Sequence, residues 1–282
     1  MRNRIALTAL TLMGSMALPA VGAEDPVTPV WSHQLVGNLT ANQVALKDWA
    51  QGGEDALSWG LSVEGKSARE RELTQWVTSY KLALGQTKLG DEEIRKTVDR
   101  IDLESTLTYK LDAFVDPYVA ATLKTQFFEG YDYSAAGKTA VARFMDPAYL
   151  TQSAGVGLTP RPRIKTRLGL AVREILTRDF NSYADDAETE KVEKTRVDGG
   201  IESVTTGEWQ LAESLLFTSR LEIFAPFSAL DETAVRNDSA LTVKVVRYVS
   251  LNLHLQIVDD ATASDKVQIK QALAMGLTYT FL

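Results

Sequence analysis

The stretch from Lys266 to Leu282, KVQIKQALAMGLTYTFL, limits the fold more than any other part of the chain. Ile269, Leu273, Met275, Leu277, Tyr279 and Phe281 fall on one face of an extended strand, and Lys270, Ala272, Gly276, Thr278 and Thr280 on the other. A terminal strand with so apolar a face is an exposed edge unless something pairs with it. In lipid an unpaired edge is excluded altogether, so the expected solution is a closed barrel whose last strand pairs with its first. A soluble β-sandwich is the competing reading, and the strand pattern disfavours it.

At the other end, Arg2 and Arg4 precede an apolar run from Ile5 to Leu18, and Val21-Gly22-Ala23 forms a small-residue cleavage site. Residues 1–23 therefore read as a signal peptide, 24–34 as a periplasmic lead-in with Pro26 and Pro29, and 35–282 as the barrel. The apolar run is too short to span a bilayer comfortably, and no later segment is apolar for long enough. The chain has no cysteine, which excludes disulfides and a lipidated N-terminal Cys. Its net charge of −7 argues against nucleic acid as a partner.

Alternation along the chain predicts an all-β, transmembrane, antiparallel up-and-down barrel of about 12 strands. The clearest strand sets Ile101, Leu103, Leu107, Tyr109 and Leu111 against Asp102, Glu104, Thr106, Thr108 and Lys110. Long polar loops are expected at 86–97, 131–151, 178–196 and 226–238, and short turns at 112–116, 160–162 and 207–208. The aromatic-rich 131–151 loop is expected to pack on the barrel mouth or fold inward. With the turn at Gly207-Glu208, Glu213 breaks an otherwise apolar face. From Leu241 to Ile257 the apolar pattern runs without a break, yet an even strand count requires a tight turn near Val246–Tyr248.

Three features bear on function. Arg163, Lys165, Arg167 and Arg173 share one strand face, while Asp102, Glu104, Glu64 and Glu202 occupy polar faces elsewhere. Rows of opposite charge in a lumen either select solutes through a transverse field or pair and plug the barrel, and the narrow lumen of 12 strands favours pairing. Trp59, Trp76, Trp209, Tyr279 and Phe281, with Trp31 and Trp49, read as membrane-interface anchors. His254 with Asn252 or Ser250 imitates a hydrolase set, but these residues merely share a face and no nucleophile elbow is present. No metal or cofactor motif appears, and Gly137-Lys138-Thr139 lacks the spacing of a phosphate loop.

Gly276, Tyr279 and Phe281 also resemble the C-terminal signal of bacterial outer-membrane barrels, with Ala274 and the trailing Leu282 as departures. The segments NQVALKDWAQGGEDALSW (42–59), VDRIDLES (98–105), TQFFEGYDY (125–133), FMDPAYLTQSAGVGLTP (144–160) and the ending MGLTYTFL resemble domain-of-unknown-function family 3078. That resemblance implies an outer-membrane barrel in contact with lipid, assembled by the barrel-assembly machinery through its last strand. It supplies no catalytic residue. The expectation is a non-enzymatic channel or transport barrel for a small solute, with a non-conducting barrel whose outer loops bind a partner as the alternative.

Overall fold

The computed structural model describes residues 31–47, 53–111, 114–134, 137–186, 189–264 and 266–281. The proposed leader, residues 24–30 of the lead-in, Trp49 and Leu282 lie outside them.

Twelve strands form one closed wall: β1 (Trp31–Val44), β2 (Ala56–Glu70), β3 (Thr74–Leu89), β4 (Arg95–Tyr109), β5 (Val115–Thr125), β8 (Ala148–Arg161), β9 (Ile164–Leu176), β10 (Thr195–Ala212), β11 (Leu215–Pro226), β12 (Ala234–Val246), β13 (Val249–Asp259) and β14 (Gln268–Thr280). Between β5 and β8 a separate hairpin, β6 (Gly130–Ser134) and β7 (Gly137–Ala142), stands apart from the wall. Every wall strand pairs antiparallel with its neighbours, and the shortest seam is the closing one, where β1 meets β14 from Val36↔Thr280 to Thr40↔Gly276. Phe281 adds one backbone bond beyond it, its N–H donating to Leu35 O at 2.8 Å.

The pleat sorts the side chains. Leu39, Leu61, Leu103, Leu107, Val119, Leu168, Leu170, Ile201, Leu273, Met275 and Leu277 are exposed on the outer face, an apolar surface that water would not tolerate at this extent and that acyl chains require. The intervening residues point into the lumen and are mostly polar or small, with Tyr118, Ile175, Val204 and Phe224 as large buried exceptions. Strands of 11 to 18 residues exceed the span of the hydrocarbon core.

That excess length corrects several expected loop bounds. The β3–β4 connection is only 90–94, and the β11–β12 connection 227–233, because the hydrogen-bonded ladder continues where the lipid-facing alternation stops. The expected turn at 207–208 does not exist: β10 runs straight through it and turns at 213–214. Gly207 is a gap in the outer wall filled by its neighbour's ring; a Cβ there would lie 2.1 Å from the Trp209 indole. Glu213 accordingly sits in a solvated turn and breaks no apolar face. The turn demanded by parity is present, with β12 ending at Val246 and β13 starting at Val249. Short turns and both barrel ends share one rim, and the long connections share the other.

Candidate functional site

Inward-facing residues of β4, β5 and β9–β12 meet across the lumen. Arg167 reaches from β9 to β4, its Nη1 and Nη2 each donating to a Glu104 oxygen at 3.0 Å, the two-pronged geometry that suits guanidinium and carboxylate. Arg220 on β11 donates to the same carboxylate and, through Nε, to Glu222 at 2.7 Å. Lys124 on β5 pairs with Glu222. Arg100 bonds Asp102 beside it and Asp238 on β12, at 3.2 Å, and Asp238 also accepts from Arg236 at 3.2 Å and Gln256 at 2.8 Å. Glu202 accepts from Ser153 at 2.7 Å and lies 3.7 Å from Arg167. Five cations and five carboxylates thus form a cross-lumen septum, and its flank is packed by the buried Tyr118, Val204, Phe224 and Thr122.

Sequence position alone does not decide which charges join. Arg167, Asp102 and Glu104 belong to the septum. Arg173 lies nearer the long-loop rim, where Nη2 donates to Asp260 at 2.5 Å and Thr262 at 3.2 Å, drawing the β13–β14 connection over the mouth. Lys165 is exposed near the short-turn rim. Arg163 is not on the strand face at all: Pro162 has no N–H for the ladder, so residues 162–163 form the turn and β9 starts at Ile164. The partners Arg100, Lys124, Arg220, Glu222, Arg236 and Asp238 were not singled out by sequence; each occupies an inward alternate position, a signal that was available once the strand phase was known.

The opposite arc is different. Across β12, β13, β14, β1 and β2 runs a belt of neutral hydrogen bonds. Thr242 Oγ1 donates to Asn252 Oδ1 (2.9 Å), Asn252 Nδ2 to Ser250 Oγ (2.9 Å), and Ser250 meets Thr278 Oγ1 (2.5 Å). Thr278 then donates to Asn38 Oδ1 (2.6 Å), and Asn38 Nδ2 to Ser62 Oγ (3.3 Å). Asn252 and Ser250 therefore serve the belt, and these bonds do not include His254. Ala272, Ala274 and Gly276 keep the wall beside the belt shallow, and all three are half-buried.

The long-loop rim is braced from both sides. The carboxylate of Asp146, almost fully buried, accepts from the N–H groups of Arg178 (3.0 Å) and Asp179 (2.9 Å), tying the β5–β8 connection to the β9–β10 connection. Asp99 accepts from the N–H groups of Phe127 (2.7 Å) and Phe128 (2.9 Å), anchoring the approach to the β6–β7 hairpin. Lys138 at the hairpin tip bonds Glu93 at 2.7 Å. That hydrogen bond and the opposite charge hold the Glu93 carboxyl below its ordinary range and raise the Lys138 ammonium. Gly137-Lys138-Thr139 is hence the start of β7, paired with Ser134, Tyr133 and Asp132 of β6, with Gly137 at φ +122°. A cleft of about 400 Å³ opens at this rim between β7, the 3₁₀ turn Asn181–Tyr183 and residues 261–264. Burial pushes the Tyr183 phenol up, with Asp146 adding to the effect.

The aromatic residues gather at the rims. Trp31, Trp76, Trp209, Tyr279 and Phe281 lie near the short-turn rim, with Trp31 and Trp76 rings 6.2 Å apart, Trp209 on Phe217 at 5.6 Å, and Tyr279 against Phe281 at 4.8 Å. Trp59 faces outward at the long-loop end of β2.

Fold and site together define a transmembrane β-barrel whose lumen is part septum, part neutral wall. Residues 41–131, from late β1 into β6, match the model of a family described as a protein of unknown function (DUF3078). The segments 42–59 and 98–105 fall inside that match, whereas 144–160 and the C-terminal ending fall outside it. No curated protein matches the sequence. Among solved structures, the chain is similar to an outer membrane channel from Pseudomonas putida F1, at 11% identity over 93% of this chain and 99% of that one, with a TM-score of 0.42. It is similar also to the translocator domain of autotransporter NalP from Neisseria meningitidis (10%, 91% and 90%, TM-score 0.37) and to the NanC porin (9%, 88% and 98%, TM-score 0.38). None of the three bears on what this lumen passes.

Proposed function

We propose that the protein is a channel or transport barrel of the Gram-negative outer membrane, exported by its signal peptide, that passes a small solute. The observation that supports this most is the asymmetry of the lumen. Charges on one side satisfy each other in a septum, while the β14–β1–β2 wall opposite bears small, half-buried polar residues. A barrel needed only as a scaffold has no use for such a shallow wall. In this reading the aromatic rims rest at the two membrane interfaces and the last strand is handed to the assembly machinery.

The density of the septum favours a second reading, a closed barrel whose braced outer rim meets a partner. Planar-bilayer recording of the refolded barrel separates the two. Discrete steps whose size changes in Arg167→Ala support the channel; a folded barrel that stays silent, with the variant silent too, supports the scaffold.

A further inference from the structure

We infer that the neutral belt is a binding track for uncharged, polyhydroxylated solutes such as sugars and polyols, a specificity that rests on the channel reading. The septum holds Arg100, Lys124, Arg167, Arg220 and Arg236 against Asp102, Glu104, Glu202, Glu222 and Asp238, so it sums to zero and offers a solute little net charge to follow. An ion entering beside it loses water without gaining a free counter-charge.

The belt offers the opposite chemistry. Thr278 donates to Asn38, so the Ser250 hydroxyl must donate to Thr278, and the chain Thr242→Asn252→Ser250→Thr278→Asn38→Ser62 runs in one direction. Such a chain polarises its members cooperatively. Its last hydroxyl, on Ser62, still has a hydrogen to donate, and the half-buried Thr242, Asn252, Thr278 and Asn38 retain capacity for another bond, while the buried Ser250 relays the chain between them. A row of alternating donors and acceptors is matched by a solute that carries both on every hydroxyl. Apart from Arg236 and Asp238 of the septum, the charge-bearing groups on the inward side of this arc and beside it include Lys81 and Glu64, 4.0 Å apart, Lys270, which donates to the Thr97 carbonyl at 2.8 Å, Lys66, His254, Glu70 paired with Lys110, and Lys244, which lies opposite Ser250 in the register at the short-turn end. The rim cleft repeats the chemistry, with Phe180 and Tyr183 beside the hydroxyls of Ser182, Thr262 and Ser264. Aromatic faces with a few hydroxyls suit a ring that is apolar on its faces and polar at its edge.

The test is liposome swelling with the refolded barrel, using sorbitol, gluconate and glucosamine as neutral, anionic and cationic probes of similar size. Sorbitol should enter several-fold faster than either charged probe. Thr278→Val removes the central hydroxyl at nearly constant shape and should erase most of that preference; Ser62→Ala at the end of the chain is the second variant if the first does not fold. Equal or faster entry of a charged probe, or a preference untouched in the folded variant, overturns the inference while leaving the channel intact. If no probe enters, the channel reading itself fails and takes the inference with it.

Discussion

Replacing Glu104 by Ala should both destabilise the barrel and widen its path. The carboxylate accepts two bonds from Arg167 at 3.0 Å and another from Arg220, and the side chains of Arg167, Glu104 and Arg220 are 12%, 19% and 23% exposed. Breaking a buried pair by removing one partner costs about 3–5 kcal/mol. The lower end applies here, because Arg220 keeps Glu222 at 2.7 Å and water can reach Arg167, whose remaining carboxylate, Glu202, is 3.7 Å away. We therefore expect a loss of about 3 kcal/mol in urea unfolding of the vesicle-inserted barrel, followed by tryptophan fluorescence. Lys165→Ala, at an exposed position, should stay within about 0.5 kcal/mol of the parent. A double-mutant cycle with Arg167→Ala should return a coupling of about 0.5–3 kcal/mol. The same variant should show larger unit conductance. A Glu104→Ala barrel as stable as the parent, with unchanged conductance, would refute the septum as a structural and gating element.

Gly207→Ala should cost about 1–3 kcal/mol and shift the Trp209 emission, since the new methyl takes the space of the indole; an unchanged spectrum would show that the ring does not lie there. Acidification should release the β6–β7 hairpin from the β3–β4 connection. Because Lys138 lowers the Glu93 carboxyl, the pair contributes above the ordinary glutamate value of 4.5 and is lost as pH falls through the lowered one; because Glu93 raises the Lys138 ammonium, it is also lost as strong alkali takes that proton. Protease cutting at residues 131–142 should increase at low pH, and Glu93→Gln should remove most of that dependence. Ending the chain at Thr278 deletes two register pairs and the Phe281–Leu35 bond from the shortest seam, at about 1 kcal/mol per hydrogen bond, so the heat-modifiable folded band should weaken sharply on electrophoresis.

Much of the wall was legible because lipid imposes a period of two on β4, β9 and β14, whose outer residues are almost all apolar. Even the β12–β13 turn, invisible in the hydropathy of Leu241–Ile257, followed from the need to close the sheet with an even count. Where the lipid constraint ends, legibility ended with it. The strands continue into polar stretches such as 86–89 and 234–238 that read as loops, and a tryptophan filling a glycine gap at 207 imitates a turn. The charged row was visible as a row, but pairing is a property of opposite walls. Nothing in the local sequence of β9 says that Arg167 meets β4 while Arg173 meets the connection after β13. The neutral belt is subtler still, being built from six Ser, Thr and Asn residues spread over five strands, of which only Asn252 and Ser250 stand out in the sequence, and those for their place beside His254.

The account depends on which side of each strand meets lipid, and the absence of cysteine makes that directly measurable. Single cysteines at Leu61, Leu168 and Leu273, and at their inward neighbours Ser62, Arg167 and Ala272, can each carry a polarity-sensitive fluorophore in vesicle-inserted protein. Quenchers attached to acyl chains should dim the first three labels, and water-soluble quenchers the second three. Labels at Leu168 and Leu273 that answer only to the aqueous quencher would contradict the inside-out arrangement on which every other claim rests.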